Sequence, residues 1–235
     1  MNNSLVNTAR SLGAGLRALL LLTLVTGVVY PLVVTGVAQG LFPGRANGSE
    51  ITSEGEVVGS SLIGQAYTLP LKEGQETPEP DLRWFQGRPA NGLGVNSRNT
   101  QYRLVLSGAT NLAADSGAVD GRCTAGSAEG SLCAQVLAAR AAVVEDNSVP
   151  GHDVDPSDVP ADAVTSSGSG LDPHISPAYA LLQAHRVAER NGLPVTRVEE
   201  LVEDHTEGRA LGFLGEPRVN VLELNIALKD LVASR

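Results

Sequence analysis

The chain has 235 residues, enough for one domain or for a small domain with an appendage. Seventeen Lys and Arg against 26 Asp and Glu give a net charge of −9, which argues against a protein that tracks nucleic-acid phosphates. Eight aromatic residues, Trp84 with four Tyr and three Phe, supply too little surface for stacking bases or sugars.

Reading from the N-terminus, no charged residue occurs from Ala18 to Gly44. The apolar centre, Leu19 to Leu41, would extend ~34 Å as a helix, against a bilayer core of ~30 Å. Pro31 is tolerable there, because membrane helices accept proline with a kink. Gly36-Val37-Ala38 would pass as a signal-peptide cleavage site, but the apolar run far exceeds the ~7–15 residues of such a peptide. A membrane anchor over 18–44 is therefore expected. The flank 1–17 carries Arg10 and Arg17 and no acid, whereas the part after Gly44 is strongly acidic. Positive flanks stay inside, so the N-terminus is expected to be cytoplasmic and residues 45–235 extracytoplasmic.

Within 45–235, Ser60 to Tyr67, which follows Glu56-Val57-Val58, reads as a strand with a turn at Gly59 or Gly64. Lys72 to Pro80 reads as a charged loop, and Trp84 to Arg103 as extended structure and loops. Cys123 and Cys133 lie in a Gly/Ser/Ala-rich insert, Ala113 to Gln135, with no second Cys pair or nearby His to complete a zinc set. Outside the cytoplasm, a disulfide closing a short loop is the better reading. Ser131 can cap a helix over Leu132 to Val144, and Asp146 to Asp162 reads as an exposed linker. Ser176-Pro177 opens a helix with a stripe of Ala178, Leu181, Leu182, Ala184 and Ala188, ending at Asn191-Gly192. Thr196 and Glu199 form a capping box for a second helix carrying Val198, Leu201 and Val202. Val221, Leu224, Leu228 and Leu231 mark a C-terminal helix, in which Asn220 and Asn225 must be paired internally or face a partner. Strands early and helices late predict an α+β external domain anchored by a single N-terminal transmembrane helix.

Catalytic signals are weak. No phosphate-cradling Gly loop ending in Lys-Ser/Thr exists. Thr165 to Gly170 is a small-residue turn without the strand-Ser-helix elbow of a hydrolase, and Asp172, His174, His205 and Glu207 lack zinc-hydrolase spacing. A membrane-anchored solute-binding domain, or a hydrolase using Ser169 with His174, stays open as an alternative. Small and hydroxyl residues in the apolar run, Thr26, Gly27, Thr35 and Gly36, beside Tyr30 and Pro31, instead suit close packing against another membrane protein.

Several blocks carry a resemblance. They are Arg17-Ala-Leu-Leu, Tyr30-Pro-Leu and Thr35-Gly; Gly59 to Gln65; Trp84-Phe85 with Arg88-Pro-Ala90; Ser107 to Leu112; Val159-Pro160 and Asp162 to Ala178; His205 to Arg209; and Leu211 to Leu228. Together they make the chain closely similar to the C subunit of the bacterial Kdp potassium-transporting ATPase. The resemblance implies a non-catalytic accessory subunit of a high-affinity potassium pump, assembled with a channel-like potassium-translocating subunit and a P-type ATPase subunit, in contact with membrane lipid. It implies no covalently bound cofactor, potassium as the transported ion, and ATP met through the complex. In that family the subunit is described as a catalytic chaperone that raises the ATPase subunit's affinity for ATP. The nucleotide-linked region would fall on Ser107, Gly108, Thr110, Asn111 and Leu112.

Overall fold

The computed structural model describes residues 2–75, 78–89, 107–108, 117–119, 122–124, 126–127 and 130–235. It divides into two units, Met1–Glu50 and Ile51–Arg235.

The first unit is a helix. α1 (Asn2–Leu24) runs through a π-helical turn (Val25–Val29) into α2 (Tyr30–Leu41). Helix therefore begins well before residue 18 and includes the flank with Arg10 and Arg17. Proline at position 31 lacks an N–H, and its ring crowds the carbonyl four residues back. The widened turn just before it gives that room: the Tyr30 N–H reaches back to the Val25 carbonyl, one residue further than in an α-helix. Phe42, with φ −137° and ψ 55°, ends α2, and Pro43 starts the short α3 (Pro43–Ala46). Among the described residues, one helix, Val6–Leu41, is long and apolar enough to cross a membrane.

The second unit is α+β. β1 (Glu50–Ser53) and β2 (Glu56–Ser60) form a hairpin across Glu54 and Gly55. Both turn residues have positive φ, the primed geometry that matches strand twist. The strand thus precedes the stretch read from sequence: it passes through Gly59, and 61–67 is irregular. A Cβ on Gly59 would lie 2.2 Å from Gln65 Nε2 and 2.9 Å from the Leu222 side chain, so a larger residue there would displace both side chains.

A three-stranded antiparallel sheet has the order β3 (His174–Ile175), β5 (Arg218–Asn220), β4 (Thr206–Glu207), pairing Ile175 with Val219 and Val219 with Thr206. Around it lie α4 (Leu132–Asn147), α5 (Ala161–Val164), α6 (Pro177–Asn191), α7 (Val195–Asp204) and α8 (Val221–Ala233). α6 contacts α4, α7 and β5, and α7 also contacts α8. The core gathers Phe85, Ile175, Ala184, Val187, Val198, Val219, Leu224 and Leu228.

Three sequence expectations are corrected. α6 has the expected Ser176 cap, whose hydroxyl accepts from the Tyr179 N–H, and the expected left-handed Gly192 stop. Its buried face, however, is Tyr179, Ala180, Gln183, Ala184, Arg186, Val187 and Ala188, while Leu181 is 45 % exposed. The expected apolar stripe is rotated because two polar side chains, Gln183 and Arg186, have partners inside. The Thr196–Glu199 capping box is absent: α7 starts at Val195 behind Pro194, with no side-chain cap. Residues 146–162 are not a free linker. Asp146 and Asn147 belong to α4, Val149 and His152 bond each other's backbone, Val154 is buried, and His152 stacks on His185 of α6 with ring centroids 3.6 Å apart.

Candidate functional site

A hub of buried polar side chains organises the α+β domain. Arg186 on α6 is 1 % exposed. Its Nε donates to Asn147 Oδ1 at 2.8 Å, and one terminal nitrogen to Gln183 Oε1 at 2.7 Å. The other terminal nitrogen serves the carbonyls of Leu82 and, at 3.0 Å, of Trp84. Burial pulls the guanidinium pKa down to about 10, so it stays charged at neutral pH. Gln183 holds Gln86 from both sides, accepting from its N–H at 2.7 Å and donating to its carbonyl at 3.1 Å. Asn225 on α8 does the same for Phe85, at 2.9 Å and 3.0 Å. Asn191 donates to the Arg83 carbonyl at 2.8 Å. Among the described residues no strand pairs with the segment 82–86, and side chains from α6 and α8 take its backbone instead.

Asn220 is likewise spent inside the domain. Its Oδ1 caps α8 by accepting from Leu222 and Glu223, and its Nδ2 donates to the Ser61 carbonyl at 2.9 Å. Asn220 and Asn225 are 4 % and 2 % exposed. Of the two alternatives read from sequence, pairing holds, and neither amide is offered to a partner.

The densest motif, Asp162 to Ala178, forms a polar corner. The Asp162 carboxylate accepts from the Ser176 N–H at 2.7 Å and its hydroxyl at 2.9 Å, fixing the start of α6. Arg88 reaches the Thr165 and Ser166 carbonyls at 3.3 Å and Asp172 at 3.4 Å, and Asp172 also accepts from the His174 N–H at 2.9 Å. The Ser169 carbonyl accepts from the Ser107 hydroxyl at 3.2 Å and the Gly108 N–H at 2.9 Å. Gly170, at φ +70°, is where that contact requires glycine: a Cβ there would stand 2.9 Å from the Gly108 carbonyl oxygen. Ser107 and Gly108 are thus bound to this corner and exposed, while Thr110, Asn111 and Leu112 lie outside the described residues. Ser169 Oγ accepts from the Leu171 N–H, and His174 Nδ1 meets Asp172, so these two do not form a hydrogen-bonded nucleophile and base.

A cavity of about 320 Å³ opens beside the hub, lined by Val58, Tyr67, Asp81, Arg83, Trp84 and Lys229 among others. Its charges are already matched. Arg83 pairs with Asp81 at 2.7 Å and holds that carboxyl below its ordinary range, and Lys229 pairs with Glu54. Burial pushes the Tyr67 hydroxyl up to about 12, so it remains protonated. The described residues contain no group of three or more His, Cys, Asp or Glu placed to hold a metal ion.

In the helical unit, Thr26, Gly27, Tyr30, Pro31, Thr35 and Gly36 are all exposed. The Thr26 hydroxyl donates to the Leu22 carbonyl at 2.7 Å, which satisfies it without a partner. Apart from its chain neighbours and the helix's own backbone, no heavy atom lies within 4 Å of a Cβ position on Gly36, so another helix could approach closely there. Cys123 and Cys133 form a disulfide between the insert and α4, with Cys133 buried.

The sequence reading missed one feature. Beyond β4 and β5 the chain projects as a hairpin whose tip, Ala210 to Leu214, is closed by two reciprocal backbone bonds of 2.9 Å. Leu211, Phe213 and Leu214 on this tip are 83 %, 70 % and 51 % exposed. Leu211 and Gly212 both have positive φ, +55° and +82°. A leucine in that conformation costs roughly 1–2 kcal/mol. The signal for it was Gly212 and Gly215 flanking large apolar residues, a pattern that reads equally as a buried turn.

A family model described as KdpC, the K+-transporting ATPase c chain, matches residues 12–230, which takes in most of the apolar helix and all but the last five residues of the α+β domain. The chain belongs to the KdpC family. A potassium-transporting ATPase KdpC subunit from Streptomyces coelicolor is 71 % identical over 233 residues, covering 99 % of this chain and 98 % of that one. Those from Gemmatimonas aurantiaca and Mycobacterium tuberculosis are 44 % and 40 % identical over 213 and 222 residues, covering 91 % and 94 % of this chain and 89 % and 99 % of theirs.

Proposed function

We propose that the chain is the accessory C subunit of an ATP-driven potassium pump, non-catalytic itself, joined to a channel-like potassium-translocating subunit and a P-type ATPase subunit. The observation that carries this reading is the extent of the family match, residues 12–230, which covers helix and domain in one architecture. Exposed small residues on the helix, Gly27 and Gly36, support packing against a membrane neighbour. The N-terminus lies in the cytoplasm and the domain outside. Arg10 and Arg17 in an otherwise uncharged flank support that orientation, as does the Cys123–Cys133 disulfide, which suits an oxidising compartment.

From outside the membrane, Ser107 and Gly108 cannot touch cytoplasmic ATP. The subunit therefore raises the ATPase subunit's affinity for ATP through conformation, as a coupling free energy passed along the partners. Lipid surrounds the free faces of the helix, and potassium passes through the channel-like subunit.

The test is purification of the pump in detergent with and without this chain, followed by potassium-stimulated ATP hydrolysis across a range of ATP concentrations. The reading expects the chain to co-purify, and its omission to abolish potassium-dependent turnover or to raise the KM for ATP. A chain that purifies alone, with turnover unchanged in its absence, overturns the reading.

A further inference from the structure

We propose that the hairpin tip Ala210–Leu214 is a docking knob that inserts Leu211 and Phe213 into an apolar socket on the extracytoplasmic face of another subunit of the same pump. The inference rests on the accessory-subunit reading and adds to it the element that engages the partner.

Three observations carry it. First, exposure is concentrated: every residue from Glu207 to Arg218 is exposed, and the large apolar side chains sit together at the tip. Large aromatic and aliphatic groups that enter a pocket are the usual energetic centre of an interface. Second, the tip is held in one shape. The Ala210 and Leu214 backbones bond reciprocally, the Gly212 N–H reaches the Arg209 carbonyl at 3.1 Å, and Leu211 keeps a left-handed conformation that displays it outward. A preformed knob loses little conformational freedom on docking. Third, the charge at its base is internally matched. Arg209 pairs with Glu216 at 2.7 Å and Arg218 with Glu207 at 2.9 Å, so both cations nearest the tip are engaged.

These features choose among occupants. A lipid surface is favoured by unpaired Lys and Arg around an apolar tip, and here the Arg side chains are neutralised by their own carboxylates. A second copy of the chain would have to offer a socket. The cavity beside the hub is bordered by the Asp81–Arg83 and Glu54–Lys229 pairs, which a leucine or phenylalanine would desolvate without compensation. Three side chains are also far less than the ~800 Å² per partner of a free-standing stable interface. A subunit already held to its neighbours by a membrane helix needs less, because the second contact forms at high effective concentration.

The experiment uses the full-length chain expressed with the other pump subunits. Phe213 is replaced by photoreactive p-benzoylphenylalanine, the purified complex is irradiated, and the crosslinked species is identified by mass. In parallel the Leu211→Ser, Phe213→Ser double variant is tested for recovery in the complex, with its melting temperature measured alone in detergent. A crosslink to another pump subunit, and at least tenfold lower recovery of a double variant that melts like the parent, is the expected result. Crosslinking to lipid only, to a second copy only, or to nothing overturns the proposal, as does full recovery of the double variant. If the unsubstituted chain itself fails to enter the complex, the accessory-subunit reading falls first and the knob with it. Failure of the variant arms beside a normally assembling parent removes the knob alone.

Discussion

Replacing Asn225 by alanine tests the claim that side chains stand in for strand partners at the centre of the domain. Phe85 has no solvent exposure, and the Asn225 amide satisfies both its N–H and its carbonyl. Alanine removes both partners at once. Each buried group left unpaired costs about 1–3 kcal/mol, so the pair costs about 2–6 kcal/mol. A folded unit of this size loses roughly 2–4 °C of melting temperature per kcal/mol, and a fall of about 10 °C is expected. Asn225→Asp keeps the acceptor for the Phe85 N–H and loses the donor to its carbonyl, so it should fall between parent and alanine. Trp84 is the only tryptophan and adjoins Phe85, so its fluorescence reports the event directly in the full-length chain in detergent. A fall below about 2 °C for Asn225→Ala would refute the accounting. An unchanged melt combined with lost assembly would return Asn225 to a partner-facing role.

Arg186→Lys keeps the charge, but one ammonium cannot serve Asn147, Gln183 and two carbonyls arranged around a planar fork. It should lower the denaturant midpoint by the equivalent of about 2–4 kcal/mol, and a midpoint equal to the parent's would show that charge alone suffices. Cys133→Ser releases a bridge with a sequence separation of 10 and should cost about 2–3 kcal/mol, matched by reduction of the parent with a phosphine; a melt indifferent to reduction contradicts this. His185 lies on His152, and burial, then that neighbour's charge, hold its imidazole below the ordinary 6.5. The unfolded chain therefore takes up a proton at a pH where the folded one resists it, so stability is full above 6.5 and declines as pH falls through that value. Melting temperature should hold down to about pH 6.5 and drop below it, and His185→Phe, which keeps a stacked ring, should flatten that drop; an equal drop in the variant assigns it elsewhere.

Local signals were legible in the sequence and distant ones were not. Ser131, Ser176-Pro177 and Gly192 act within a few residues of themselves, and each bounds a helix as read. The apolar run of the first helix was legible from composition, although its helical start was not, because polar residues 2–17 carry no stop signal. The buried face of α6 was misread because hydropathy ranks Leu181 above Arg186. Arg186 is inside only because carbonyls roughly a hundred residues earlier in the chain are brought to it. Residues 146–162 looked like a linker from their acids and prolines, and what packs them, the His152–His185 stack, again joins segments far apart in sequence. The two Asn of the last helix illustrate the middle ground: the need for partners could be read, but not that Phe85 and Ser61 supply them. Of the implied nucleotide-linked stretch, Ser107 and Gly108 were placed by the Ser169 carbonyl and the bare Cα of Gly170, a contact no local pattern encodes.

The segment 82–86 carries a consequence for motion. By sequence and by shape it is a loop, and loops ordinarily trade their amide hydrogens with water quickly. Here the Phe85 amide is held by Asn225 and the Gln86 amide by Gln183, each on a helix of the core. Those two hydrogens can be released only when α6 or α8 gives way, so they should exchange on the timescale of whole-domain opening. The stretch that looks most like a connector is clamped as tightly as a central strand.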